Sequence, residues 1–291
     1  MKKLSYILIA WAVLTGCSEI PPVIDFSEPI VLFNDTTYVT TDLPTNVKRN
    51  ALIEDISGVR CNNCPKAADA AHSTQLDFGK DRVVVMTLHP TTNRTLTNPY
   101  DDSKDTFNTE IATNIYEQLY TGSLVGLPTG AVNRKVFEGE TQTFLPYTSW
   151  RSRVSEILQE EALAQVEVDA INTEGLKYAV NVKTTFLDKV STPVNMSIFV
   201  IESYIKSTQK MPDNNKNKDY IHHDILREAV TTIQGIPLGS DFETGRVFEK
   251  GFEVELKDKY VPENTAIVVL LHYADGANTE VIQCTETPVT Q

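Results

Sequence analysis

Two cysteines, Cys61 and Cys64, lie in "ALIEDISGVRCNNCPKAADAAH", between an apolar run and an alanine-rich run. A thiol pair at this spacing can carry thiol–disulfide exchange or staple a turn. If the flanks are a strand and a helix, the pair sits at a helix N-terminus, where free amides and the helix dipole stabilise a thiolate. Cys61 is then the exposed attacking sulfur and Cys64 the more buried resolving one. Pro65 falls in the first helical turn, where no intrahelical N–H bond is owed. Zinc would need two more ligands. There is no second Cys-x-x-Cys and no histidine at ligand spacing, so neither a metal nor a cofactor is expected.

Carboxylates and histidines are the remaining candidates. Glu54 and Asp55 interrupt the apolar run before the cysteines. With helices on both faces of a sheet one of them is buried, and a buried acid has a raised pKa and can relay a proton to a thiol. A strand-end acid that reaches solvent is the alternative. His72 lies eleven residues after Cys61, about 16 Å along a helix, too far to act as its base. His89 ends the next strand and could approach Cys61, because the carboxyl ends of parallel strands gather at a site. His222 and His223 are adjacent, so on one strand they point to opposite faces. His272 also reads as a strand residue, and the role expected for His222, His223 and His272 alike is structural.

The elements that would position these groups follow from periodicity. "DRVVVMTLH" is a continuous apolar strand of the kind buried on both faces. Phe107, Ile111, Ile115 and Leu119 recur at four-residue steps and predict an amphipathic helix. "GLPTGAVNRKVFEG" predicts a strand and hairpin, and Trp150, Val154, Ile157 and Leu158 share a helical face. The order strand, helix, strand, helix, strand pair, helix predicts an α/β unit over 46–165. Beyond residue 165 the period falls to two, from "LKYAVNVKTTFLD" to "TEVIQCTE", and predicts an antiparallel, Ig-like β-sandwich over 166–291. Cys284 reads as a half-buried strand cysteine.

The N-terminus reads as targeting. Lys2 and Lys3 precede a short apolar run and then "LTGC". This resembles a bacterial lipoprotein box, with residues 1–16 as signal peptide and Cys17 as the lipidated residue. Residues 17–45 are a Pro- and acid-rich tether with one possible strand. Such a chain is anchored at the membrane by its lipid, outside the cytoplasm, where disulfides persist. Ser18 after the cysteine points to the outer membrane, with the body facing the periplasm or the medium. The formal charge of −13 excludes nucleic acid as a partner class.

The Cys-x-x-Cys placement resembles thioredoxin-like proteins. That resemblance implies a cis-proline at Pro128 beside the disulfide, and makes Asp55, six residues before Cys61, the buried acid. Unlike thioredoxins, Arg60 precedes the pair where they have Trp, and Asn62-Asn63 replace Gly-Pro. Arg60 would favour a thiolate at Cys61. Taken together, "LIEDISGVRCNNCPKAA", "GLPTGAVNR" and "YIHHDILREAV" behind a lipobox resemble the outer-membrane-protein "twenty-eight"-related lipoproteins of Gram-negative bacteria. The resemblance implies a thioredoxin-like domain followed by a β-sandwich, and marks Cys61, Cys64, Pro65 and Pro128.

The expected function is a lipid-anchored thiol–disulfide oxidoreductase acting on envelope or surface protein disulfides, with Pro128 shaping the peptide-binding edge. Its partner would be a protein disulfide or a redox protein. The alternative is a non-enzymatic surface or envelope binding protein in which the cysteines form a structural disulfide. A chaperone-like or adhesive role is a third reading.

Overall fold

The computed structural model describes residues 32–103 and 105–289. The signal peptide, Cys17 and the first part of the tether lie outside them. The chain runs through β1 (Thr36–Val39), β2 (Ala51–Ile56), α1 (Cys64–Phe78), β3 (Val83–Leu88), a short α2 (Arg94–Thr97), α3 (Glu110–Leu119), β4 (Thr129–Val132) and α4 (Tyr147–Ile157). Strands then follow one another: β5 (Ala164–Glu174), β6 (Lys177–Phe186), β7 (Val194–Glu202), β8 (Ile205–Lys210), β9 (Lys216–His222), β10 (Ile225–Ala229), β11 (Ile236–Gly239), β12 (Arg246–Glu255), β13 (Thr265–Tyr273) and β14 (Val281–Pro288).

β2 and β3 are apolar runs with every residue buried, and they pair in parallel from Ala51–Val83 to Ile56–Leu88. α1 joins them, with Pro65 in its first turn and Gly79 at its C-terminus. α3 is started by Thr109, whose hydroxyl accepts a hydrogen bond from the Ala112 amide. β4 runs antiparallel to β2. The strand expected after it is reduced to a bridge between Gly130 and Leu145. Gly130 is required by close approach: a Cβ there would lie 2.3 Å from the Glu54 carbonyl oxygen and 2.6 Å from the Trp150 ring.

The fold is mostly β-sheet with few helices. The main sheet has the order β14-β13-β7-β10-β3-β2-β4, with β11 also on β7. The segments predicted as an α/β unit and a β unit therefore share one sheet. The junction is β10, parallel to β3 and antiparallel to β7. One face of this sheet carries α3 in a core with Leu52, Met86, Ile115, Phe199 and Leu270. On its other face the β2–β3–β4 part packs against α1 and α4 through Ile53, Val85, Trp150 and Val154. The β7–β13–β14 part faces a second sheet, β1-β12-β6-β5, across a core holding Val180, Phe186, Ile198 and Val269. The possible tether strand is β1, which pairs with β12.

Two expectations need correction. "YIHHDILREAVTTI" is not one strand: it breaks at Asp224, whose φ of 55° is left-handed, and splits into β9 and β10. β8 and β9 pair only with each other, forming a hairpin outside both larger sheets.

Candidate functional site

Cys61 and Cys64 form a disulfide, with Cα atoms 5.4 Å apart, where the chain leaves β2 and enters α1. Both residues are only 2% exposed. This corrects the expectation of an exposed Cys61. The cause is the β8–β9 hairpin, which lies over the pair as a flap. Gln209 of β8 donates its side-chain amide to the carbonyl oxygens of Cys61 (3.0 Å) and Gly58 (3.3 Å), and the Lys210 amide donates to the Val59 carbonyl at 2.8 Å. At the flap's outer side Lys218 pairs with Asp102 at 2.7 Å, and Lys216 lies over the Tyr100 ring.

Arg60 does not serve the Cys61 sulfur in the way the sequence suggests. Its guanidinium donates to the carbonyls of Asn98 (2.8 Å) and Pro99 (2.7 Å) and stacks over Tyr100. Gly58 lets the turn pass under α2, since a Cβ would stand 2.5 Å from the Leu96 carbonyl oxygen.

The two acids of β2 have separate environments. Alternation along the strand sends Leu52 and Ile56 to the α3 core, and Ala51 and Ile53 to the α1–α4 core. Glu54 follows the first set. Arg134 clasps it with Nη2 at 2.7 Å and Nε at 3.0 Å, and the Tyr120 hydroxyl donates to it at 2.8 Å. Asp55 follows the second set, on the face that carries α1. It is fully buried, neither carboxylate oxygen has a hydrogen-bond partner, and burial pushes its pKa up to about 8. Of the two acids, Asp55 is the one that burial favours in its neutral form, whereas Glu54 is bound in an ion pair.

A cavity of about 410 Å³ opens beside the disulfide, between α1, the end of β3 and the flap. Cys64 lines it and Cys61 does not. Four of the five histidines, His72, His89, His222 and His223, also line it. β9 ends at His222, so strand alternation does not extend to His223, and both line the same cavity. Burial lowers His89 and His222 to about 3, so both imidazoles are neutral. His89 Nδ1 and His222 Nε2 have no hydrogen-bond partner. His72 stacks on His223 with ring centroids 6.1 Å apart. Among the described residues no group of His, Cys, Asp and Glu has the arrangement of a metal site.

The remaining candidates lie apart from the cavity's lining. The Leu127–Pro128 peptide bond is cis and immediately precedes β4. Cys284 is fully buried in β14, not half-buried, and burial raises its thiol to about 12. His272 is buried and bonds Ser197 through Nε2 at 2.9 Å. Sequence reasoning missed Gln209, Tyr220 and the flap that carries them. It singled out "GLPTGAVNR" without a role for its last two residues. Asn133 accepts the Leu52 amide (2.8 Å) and donates to the Val281 carbonyl (2.9 Å), and Arg134 holds Glu54. That pair ties β4 to β2 and β14.

A sheet-rich chain with a buried disulfide at the mouth of a parallel βαβ unit is the class these observations define. Residues 113–291, more than half of the chain, match the family described as Outer membrane protein Omp28. The chain belongs to that outer membrane protein family. The match begins within α3 and so excludes the disulfide. HBP35 of Porphyromonas gingivalis shares the fold with a TM-score of 0.63 at 16% identity, over 83% of this chain and 76% of that one. Spo0M, a sporulation control protein from Bacillus subtilis, aligns with a TM-score of 0.26 at 11% identity over 44% of this chain and 48% of that one, too low to bear on the fold. No curated protein matches the chain. Among the described residues no helix is long and apolar enough to cross a membrane.

Proposed function

We propose that this outer membrane protein carries a thiol–disulfide exchange site on a thioredoxin-like unit spanning residues 46–165, with 166–291 supplying a β-sandwich and the flap. Cys17 is its lipid anchor, and its partners are thiols or disulfides of the envelope or surface. The observation that carries the reading is Asp55. A fully buried carboxyl group with no partner, on the sheet face beneath the helix that begins at Cys64, has no structural return for its burial. A protonated acid there can supply the proton that a departing thiolate takes up, and recover it in the reverse step. The topology agrees: β3-β2-β4 with β4 antiparallel, flanked by α1 and α4 on one face and α3 on the other.

The test is exchange itself. The oxidised protein should be reduced by dithiols, and the reduced protein should in turn reduce a model disulfide. Cys61→Ser/Cys64→Ser should abolish both, and Asp55→Asn should slow them by about 10²-fold near neutral pH. Resistance of the disulfide to every thiol under native conditions would exclude the reading. Lipidation is tested separately by palmitate incorporation, lost in Cys17→Ser.

A structural disulfide in a non-enzymatic surface protein is the second reading. It is favoured by the 2% exposure of both cysteines. It predicts that the double serine variant loses stability and keeps every activity of the parent.

A further inference from the structure

The cavity and the flap together restrict what can reach the disulfide, and from which side. We propose that the exchange partner is a small thiol or disulfide, uncharged or bearing an ammonium group, which enters the cavity under the flap and reacts at Sγ of Cys64. This rests on the exchange reading above and names its substrate class.

Three observations support it. First, access is one-sided. Cys64 forms part of the cavity wall and Cys61 does not, and the Gln209 amide of the flap donates to the Cys61 carbonyl oxygen. A nucleophile must approach one sulfur along the S–S axis, and the open space lies on the Cys64 side. Second, size excludes folded partners. With both cysteines 2% exposed, a protein disulfide meets the flap first, while about 410 Å³ admits a molecule of a few heavy atoms. Third, the walls have polar groups to offer. Ser57, Thr87, Asn217 and Tyr220 line it with hydroxyl and amide groups that can hydrogen-bond a small polar molecule.

Charge selects within that size class. Asp69, Asp219 and Asp224 line the cavity, and no Lys or Arg is among its described lining residues. Lys206 pairs with Asp219 at 3.2 Å and Lys80 acts on Asp224, so among the described residues the exposed Asp69 is the lining acid with no such cation beside it. The lowered pKa of His89 and His222 leaves them without positive charge to counter it. An anionic thiol is therefore disfavoured.

The step balances as follows. The incoming thiolate attacks Sγ of Cys64, the S–S bond breaks, and its electron pair leaves on Cys61, which takes up a proton. A second small thiolate attacks the small-molecule sulfur of the mixed disulfide and releases Cys64. Two small thiols become one small disulfide, and their two hydrogens end on Cys61 and Cys64. The reverse sequence reduces a small disulfide at the expense of the dithiol.

The experiment uses the oxidised full-length chain at fixed pH. It is mixed at equal thiolate concentration with cysteamine, 2-mercaptoethanol or glutathione, and separately with a reduced thioredoxin as protein dithiol. Loss of the Cys61–Cys64 bond is followed by alkylation and mass spectrometry, and acid-quenched adducts are mapped. Cysteamine is expected to react about tenfold faster than glutathione, a ratio that falls with salt. It should also outpace the protein dithiol by at least about tenfold, the factor set by flap opening. The adduct should sit on Cys64. Asp69→Lys, at an exposed position, should reverse the order of cysteamine and glutathione. Adducts on Cys61, equal rates for protein dithiol and cysteamine, or a glutathione preference in the parent would overturn this inference and leave the exchange reading standing. Failure of all four reagents would overturn both.

Discussion

Glu54 and Asp55 are neighbours in sequence and lie on opposite faces of β2, the first clasped by Arg134 at 2.7 Å, the second without any hydrogen-bond partner. One strand thus carries a satisfied buried charge and an unsatisfied buried acid side by side. The two acids should respond differently to pH and to mutation.

Asp55 makes stability fall as pH rises. Its folded pKa, about 8, stands above the unfolded value of 3.8, so the folded state holds a proton that the unfolded state gives up. Below about pH 4 both states are protonated, and ionisation adds nothing to the cost of burying the group. Between about 4 and 8 the folded state loses ground, and above the folded pKa the full penalty is reached. The stability difference between Asp55→Asn and the parent should therefore shift in favour of the variant by about 3–5 kcal/mol from pH 4 to pH 8. Urea denaturation at the two pH values measures it. A pH-independent difference would show that Asp55 ionises normally.

Breaking the Glu54–Arg134 pair from one side leaves a buried charge alone. Both side chains are fully buried. Glu54→Leu or Arg134→Met should each cost about 3–5 kcal/mol, while the two combined should cost much less than their sum. A double-mutant cycle in guanidinium reads this directly, and additive losses would contradict the paired geometry.

These two acids also mark how far the sequence could be read. The β2–α1–β3 unit was legible because β2 and β3 are short, wholly buried strands, apolar apart from Glu54, Asp55 and Thr87, and the segment between them starts with Cys and Pro. The same property hid which acid faces which core, since a strand buried on both faces carries no alternation. β13, "TAIVVLLHY", is such a run too, although it lies in the segment read as having a period of two. Its neighbours were not legible: strand pairing is non-local, and a period of two does not say whether Ile225–Ala229 pairs within its own segment or with β3. The flap was missed for a related reason. Its strand joins the next without a Gly or Pro, and the left-handed turn falls on Asp224, a residue that tolerates positive φ without announcing it.

Cys284 should be inert. Burial raises its thiol to about 12, and it is fully buried on β14. Iodoacetamide at pH 8 should leave it unmodified in the native protein and alkylate it fully in denaturant, as peptide mass mapping would show. Native labelling of Cys284 would mean that β14 opens far more readily than its place on the sheet allows.

The flap should be the most easily opened part of the ordered β-structure. β8 and β9 form a strand ladder only with each other, and a two-stranded sheet has little stability alone. What holds it down is mixed. Gln209 and the Lys210 amide make buried hydrogen bonds, but the Lys218–Asp102 pair is exposed and screened by salt, and such a pair contributes little. Hydrogen–deuterium exchange should therefore deuterate Ile205–Lys210 and Lys216–His222 well before Ala51–Ile56 and Val83–Leu88. Gln209→Ala should widen that gap by about tenfold in exchange rate, equivalent to losing roughly one to two hydrogen bonds of ordinary strength. Protection of the flap equal to that of β2 and β3 in the parent would mean that it unfolds only with the sheet, and that the disulfide beneath it is sealed.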